Sequence, residues 1–306
     1  RWTSTLRPMK AIEYIDRASA EIRQEIVPGE GWLKWLYHNP VGRLALHGVV
    51  KRQVVSRLYG WRMDSPASRA KIPEFVRTLG IDMDEATKPM EAYESFNDFF
   101  VRELKPEARP MDPAEDAIVS PADGKILAFE GLTGLESFFV KGQRFSLRSF
   151  LRDDALAERY AGGTLLIVRL APVDYHRFHF PTAGHISASR LVNGAYYSVS
   201  PYAVKARLSV YWENKRALSR LTTKNAGEIL LSEVAATMVG ARVQTYAADS
   251  QVEKGQEKGM FKFGGSTVIM LLEKDKARVD SDIVDNTRRG YETTIKLGEH
   301  LATAAG

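Results

Sequence analysis

Between residues 117 and 295 the chain breaks into short β-prone runs punctuated by Gly, Pro and Asn, and this spacing constrains the fold more than any other feature. The runs lie at 125–130, 163–170, 184–191, 207–212, 217–223, 228–236, 237–246, 260–263 and 267–273. Such a series predicts antiparallel pairing in a barrel or sandwich. Stretches 146–151 and 280–290 read as helical insertions. The first hundred residues differ in character. Apolar residues recur at helical spacing over 9–26, Gly29-Glu30-Gly31 interrupts, and 32–61 reads as helix with a break at Asn39-Pro40. Ser65-Pro66 punctuates again, and 73–79 predicts a short helix ended by Gly80. Ser95 followed three residues on by Asp98 marks another helix start. The expected class is therefore α+β, with a helical layer over 1–105 and a mainly antiparallel β unit over 106–306.

Composition narrows the chemistry. The 306 residues are 44% hydrophobic and 26% charged, enough for a sizeable core and unlike a disordered chain. Cysteine is absent, which excludes disulfides, thiolate nucleophiles and thiolate zinc sites. Three of the six histidines, His176, His179 and His185, fall within ten residues, so histidine chemistry has one address. The net charge is +5, and its distribution is uneven. From residue 31 to 63 there is no acid, while Lys34, Arg43, Lys51, Arg52, Arg57 and Arg62 stand among Trp32, Trp35, Trp61 and many aliphatics. That stretch is too apolar for a solvated nucleic-acid groove, and no nucleic-acid motif is recognised. No apolar run reaches the roughly 18 residues of a spanning helix.

The sharpest local feature is Phe261-Lys262-Phe263-Gly264-Gly265-Ser266-Thr267. Taken alone it reads either as a strand kinked by glycine or as a reactive bond. Two glycines admit backbone angles closed to other residues and leave the Gly265 carbonyl uncrowded. A serine directly after that carbonyl is placed to attack it. Such a serine needs a base, and Tyr175-His176-Arg177-Phe178-His179-Phe180-Pro181 offers two histidines. In an ideal strand positions 176 and 179 face opposite sides, so unequal roles are expected. Zinc is an alternative use of the histidines, but a ligand set is lacking. A base needs an orienting carboxylate. Asp123, in the turn Ser120-Pro121-Ala122-Asp123-Gly124, is one candidate, and Asp174, beside the histidines, is the other.

Taken together these segments resemble the phosphatidylserine decarboxylase family. The resemblance rests on SPADGKI at 120–126, YHRFHFP at 175–181, GAYYSVSPYAV at 194–204 and KGMFKFGGSTVI at 258–269. SFNDFFVREL at 95–104 and NTRRGYETTIKLGE at 286–299 add to it. Six motifs in register cover residues 95–299 strongly and the front end loosely. Gly264 departs from the larger apolar residue common in the family, although the Gly265-Ser266 pair is intact. The resemblance implies that Asp123 orients His179, that His179 takes the Ser266 proton, and that Ser266 attacks Gly265. Cleavage would then give a β chain of residues 1–265 and an α chain of 266–306, with Ser266 converted to a pyruvoyl group. That cofactor, with no metal, would decarboxylate phosphatidylserine through a Schiff base. His176 is the first candidate for returning the proton to the product.

The resemblance also gives the acid-free stretch a purpose. Trp32, Trp35, Lys51, Arg52 and Arg57 are expected to contact an anionic membrane surface peripherally, at the cytoplasmic face of a bacterial inner membrane. A homodimer is compatible with exposed apolar helices. Two rival readings remain. One is a serine hydrolase with a lasting Asp123-His179-Ser266 triad, although the G-x-S-x-G elbow is absent. The other is a non-enzymatic carrier, because the turns at Asp123-Gly124-Lys125 and Lys254-Gly255-Gln256 resemble those of lipoyl-type β domains.

Overall fold

The computed structural model describes residues 12–25, 60–132, 138–140, 143–195, 210–235, 242–263 and 266–306. Its frame is one eleven-stranded sheet. In chain order the strands are β1 (Glu13–Ile15), β2 (Ile22–Gln24), β3 (Gly124–Phe129), β4 (Thr164–Leu170), β5 (Gly184–Ile186) and β6 (Arg190–Val192). They continue as β7 (Arg216–Thr222), β8 (Glu228–Ala235), β9 (Ser250–Val252), β10 (Ser266–Leu272) and β11 (Glu292–Ile295). Across the sheet the order is β9-β5-β7-β8-β10-β4-β3-β11-β1-β2, with β6 also on β7. All neighbours run antiparallel except β1 and β11.

The long central strands follow from period-two patterning buried on both faces. Leu166, Val168 and Leu170 of β4, with Val268, Met270 and Leu272 of β10, enter one core. The alternate residues Leu165, Ile167, Ile269 and Leu271 enter a second core on the opposite face. Helices α3 (Leu147–Leu151), α4 (Asp154–Arg159) and α5 (Val210–Glu213) stand on the second side and supply Leu147, Phe150, Leu151, Ala157, Val210 and Tyr211 to that core. On the first side, Phe178, Phe180 and Phe261 pack beside Ile283 and Val284 of α6 (Ser281–Arg288). Fully burying an aliphatic side chain contributes about 1.5–3 kcal/mol. The five apolar residues Val268 to Leu272, each at most 1% exposed, therefore tie β10 firmly into the sheet.

A third cluster holds the helical front end to the rest. It contains Met63, Ile72, Ile81, Tyr93, Phe96, Phe99 and Phe100, with Val173 and Phe263 packed against it. Helix α1 (Ile72–Leu79) ends where Gly80 turns left-handed at φ 63°. Helix α2 (Phe96–Phe100) starts where the Ser95 side chain accepts from the Asp98 amide at 3.2 Å.

Several expectations need correction. The sheet is open among the described residues, because its edge strands β9 and β2 do not pair, so no closed barrel forms. Helices and loops already cover both faces, and closure is not required to bury them. Residues 9–26 were expected to be helical; the described part, 12–25, is the hairpin β1–β2. Tertiary pairing overrides local spacing here: Tyr14 aligns with Glu292, and an Asp16 side chain accepting from the Ser19 amide and hydroxyl makes the turn. The expected strand 184–191 is two short strands separated at 187–189. Of the expected strand 207–212, residues 210–212 belong to α5, and the remainder lies outside the described residues. The helical reading of 32–61 also lies outside them up to residue 59; residues 60–64 are helical.

Candidate active site

Asp123 sits in the turn between the strand Ala117–Val119 and β3. Ser120 Oγ donates to the Ala122 carbonyl at 2.7 Å and closes that turn. Gly124 is required next, because a Cβ there would lie 2.6 Å from the Arg169 carbonyl oxygen of β4. The Asp123 carboxylate is 5% exposed and well satisfied. It accepts from Arg109 Nε at 2.9 Å, from Arg109 Nη2 at 2.6 Å and from the Leu297 amide at 2.8 Å. Arg109 also pairs with Glu85 at 3.0 Å. Burial opposes the Arg109 charge, but Asp123 and Glu85 outweigh it and raise its pKa.

His179 ends the strand Arg177–His179 and is 9% exposed. Its amide donates to the Pro121 carbonyl at 2.8 Å, which fixes the histidine segment against the Asp123 turn. The ring stacks on Tyr175 with centroids 5.9 Å apart. Its Nδ1 is buried and has no hydrogen-bond partner among the described residues. Burial pushes its pKa down to about 4, against the opposing pull of Glu257 and, more weakly, of Asp123. The ring is therefore neutral at physiological pH, the form a base needs. Asp123 acts on it through its charge; the hydrogen bonds of Asp123 go to Arg109 and Leu297.

His176 is fully buried two residues after Asp174. Its Nδ1 meets the Asp174 carbonyl at 2.9 Å, so Nδ1 carries the proton and Nε2 bears the lone pair. That Nε2 has no partner among the described residues. The ring lies 3.9 Å from the Phe100 centroid. Burial pushes its pKa down to about 3, with the Asp174 carbonyl opposing and Arg102 adding to the fall. The two histidines thus sit in unequal settings. Asp174, the rival for the orienting role, accepts from the Ala171 amide at 2.6 Å, and burial raises its pKa.

Ser266 opens β10 and is fully buried, aligned with Ala235 of β8 and Leu170 of β4. Gly264 and Gly265 lie outside the described residues. The segment entering them is held from several sides. The strand Glu257–Phe261 pairs with Arg177–His179, and the Phe261 amide donates to the His176 carbonyl at 2.9 Å. The Phe263 amide donates to Asn97 Oδ1 at 2.8 Å, and Lys262 reaches Asp64 at 3.0 Å. The Phe263 ring packs edge-on against Phe96 and Phe100 at 5.0 and 4.9 Å. The histidine motif, the helical cluster and the chain leading into Gly264-Gly265-Ser266 are therefore one packed assembly.

A cavity of about 280 Å³ lies beside the Asp123 turn, with Arg102, Arg109, Asp123, Lys125 and Asp174 in its lining; His176, His179 and Ser266 are not part of that lining. Arg109 and Arg102 were not singled out by the sequence reading. Arg109 stands in a proline-flanked loop without periodicity; Arg102 lies within the quoted motif at 95–104, which was its only signal. Trp32, Trp35, Lys51, Arg52 and Arg57 lie outside the described residues. Among the described residues no cluster of three His, Asp or Glu side chains is arranged to hold a metal.

Comparison with known proteins matches the same segments. The family model for phosphatidylserine decarboxylase matches residues 96–303. A phosphatidylserine decarboxylase proenzyme from Fusobacterium nucleatum is 52% identical over 288 residues, covering 94% of this chain and 96% of its own. A proenzyme of the same name from Clostridium perfringens is 44% identical over 290 residues, covering 95% and 99%. One from Desulfitobacterium hafniense is 44% identical over 290 residues, covering 95% and 97%. The chain belongs to the phosphatidylserine decarboxylase family.

Proposed function

We propose that this chain is a proenzyme that cleaves its own Gly265-Ser266 bond and then converts phosphatidylserine to phosphatidylethanolamine and carbon dioxide. The carrying observation is the setting of Ser266. It is a buried serine placed directly after two glycines, at the head of a central strand, in a chain whose relatives are named proenzymes.

The residues present suit maturation. His179, neutral through burial, takes the Ser266 hydroxyl proton. Ser266 Oγ bonds to the Gly265 carbonyl carbon, the C–N bond breaks, and His179 passes the proton to the departing nitrogen, which becomes the free amine of residue 266. The resulting ester loses the α-proton of residue 266 and its Cβ–O bond. Gly265 departs as a carboxylate, and a Cα=Cβ double bond remains. Water then replaces nitrogen, which leaves as ammonia, and residue 266 becomes a pyruvoyl group that blocks the end of the shorter chain. The Arg109 fork fixes the Asp123 turn, so the negative charge stays near His179 without taking its proton. Full burial of Ser266 restricts bulk water while the ester exists. The new N-terminus stays in place because β10 holds seven registered residues on each side, against β8 and β4.

The pyruvoyl carbonyl supplies an electron sink for the pair left behind when carbon dioxide departs. What the chain supplies is position and a proton. His176, whose buried Nε2 has no partner among the described residues and bears a lone pair that must first take up a proton, is the leading candidate to return that proton to the product carbon, and His179 is the second. The lipid is met at the membrane surface through the 31–63 stretch, with Trp32, Trp35, Lys51, Arg52 and Arg57 as contacts. Support comes from Trp61, at the end of that stretch, which is 76% exposed. No helix among the described residues is long and apolar enough to cross a membrane, which accords with attachment to one face of a bacterial inner membrane. Charge reversal at Lys51, Arg52 and Arg57 should abolish flotation with anionic liposomes; unchanged flotation counts against the contact. A dimer and a kinship with lipoyl-type β domains belong to the same proposal. Light scattering of the detergent-solubilised protein tests the dimer.

Ser266→Ala is the decisive variant for the function. It should remain a single chain and release no carbon dioxide from phosphatidylserine. Decarboxylation at the normal rate by that variant would refute the proposal.

A further inference from the structure

The cavity beside Asp123 contains one cation unlike the others. Arg17 pairs with Asp280 and Asp282, Arg109 with Asp123 and Glu85, Lys125 with Glu25, and Lys296 with Glu85. Arg102 has no carboxylate among the described residues. It is 5% exposed, and its Nε and Nη1 are buried without a hydrogen-bond partner among the described residues. Among the described residues only Nη2 reaches an acceptor, the Val173 carbonyl at 3.4 Å. The guanidinium also lies 5.2 Å from the Phe99 ring centroid. A buried guanidinium left with open donors is costly; Nε and Nη1 are sealed from the cavity, so an anion entering it removes that cost only as the side chains around Arg102 shift to admit it. Burial pushes the Arg102 pKa down.

We infer that Arg102 binds the phosphodiester of the lipid headgroup at the cavity beside Asp123. This rests on the proposed decarboxylation. The substrate headgroup offers two anions, and the reaction distinguishes them. The α-carboxylate loses its charge as it becomes carbon dioxide. A cation fixed on it would stabilise the ground state more than the transition state and slow the reaction. The phosphodiester keeps its charge throughout, so binding it lowers KM without that penalty. The lining also carries acids, Asp174 among them, which suits a headgroup that brings an ammonium as well as a phosphate.

The test compares wild type, Arg102→Gln and Arg102→Lys as full-length protein, with short-chain phosphatidylserine in mixed micelles. All three should self-cleave. In Arg102→Gln the KM should rise about tenfold or more, with kcat held within about threefold, on the usual strength of charged hydrogen bonds. Phosphatidylethanolamine, which keeps the phosphate and lacks the carboxylate, should inhibit the variant more weakly by the same factor. Arg102→Lys should recover part of both losses. Unchanged KM would assign Arg102 to packing on Phe99 and overturn the inference. A raised KM with unchanged product inhibition would place Arg102 on the carboxylate and overturn it as well. Failure of both variants to self-cleave would assign the residue to maturation, with the same consequence. Lack of decarboxylation by wild type would instead strike the proposed function.

Discussion

Two regions of the molecule bury charge and nitrogen in opposite ways. Around Arg169, in the middle of the sheet, every charge is answered. Its guanidinium is 2% exposed and bonds Glu25 and Glu292, each at 2.7 Å, while Lys125 lies 3.5 Å from Glu25 and over the Tyr14 ring. Around Phe100 and Tyr175 the reverse holds. Among the described residues, every buried side-chain nitrogen without a hydrogen bond belongs to Arg102, His176 or His179. A frame is built by satisfying polar groups. A site keeps some open for groups that arrive later. The contrast is one of nitrogen-bearing groups, since buried hydroxyls without a partner among the described residues also occur in the frame, on Tyr211, Ser219, Ser232 and Thr267.

The largest effect should come from breaking the satisfied cluster. In the uncleaved Ser266→Ala background, Glu292→Gln leaves Arg169 half-compensated and should cost about 3–5 kcal/mol in urea unfolding. Arg102→Gln in the same background should change stability by less than about 1 kcal/mol, because no carboxylate is orphaned and the bond lost, to the Val173 carbonyl at 3.4 Å, is long. Equal losses from the two changes would erase the distinction between the regions.

The next effect is pH-dependent. Burial lowers His179 to about 4 and His176 to about 3, whereas an unfolded histidine titrates near 6.5. The folded values lie below the unfolded one, so the unfolded chain binds protons first as pH falls. Stability should be complete above about 6.5 and decline as pH drops toward 4. His179→Gln should flatten that decline, by an amount on the order of 3 kcal/mol at most. The rate of self-cleavage should stay level from pH 8 to about 5 and fall only below that. An inflexion at 6.5 would mean that His179 is solvated rather than buried.

The smallest effect concerns the approach to Gly264. Asn97→Ala removes the 2.8 Å bond from the Phe263 amide, worth about 1 kcal/mol, and should slow cleavage several-fold without stopping it. Time courses on denaturing gels measure this. An unchanged rate would show that the phenylalanine cluster alone holds the loop.

Much of this was legible in the sequence where one local rule decided the outcome. Strands β4 and β10 were found because their apolar runs are continuous, as burial on both faces requires. Gly80 and Ser95 were read as a stop and a cap, and they act so. Asp123, His179 and Ser266 were chosen from motifs, and the Pro121–His179 backbone bond does join the first two segments. The misses depended on distant partners. Ile12, Tyr14 and Ile15 fit a helical or a strand spacing equally, and pairing with Glu292 decided for strand. Residues 210–213 form a helix whose neighbour α3 contributes Phe150, and the side chain of Arg216 ties the two through the Phe150 and Trp212 carbonyls at 2.8 and 2.7 Å. Arg109 was invisible as the partner of Asp123 because its loop carries no pattern. Arg102 was visible as a letter in a motif, but its lack of an acid partner is a property of the fold alone.

The central claim is that Gly265-Ser266 is cut and that residue 266 becomes a ketone. Intact mass of the purified protein before and after borohydride treatment tests it most directly. The account predicts two chains, residues 1–265 and 266–306, with only the shorter one lacking a free amine and gaining two hydrogens on reduction. A single chain of 34.3 kDa that decarboxylates phosphatidylserine and does not change on reduction would contradict it.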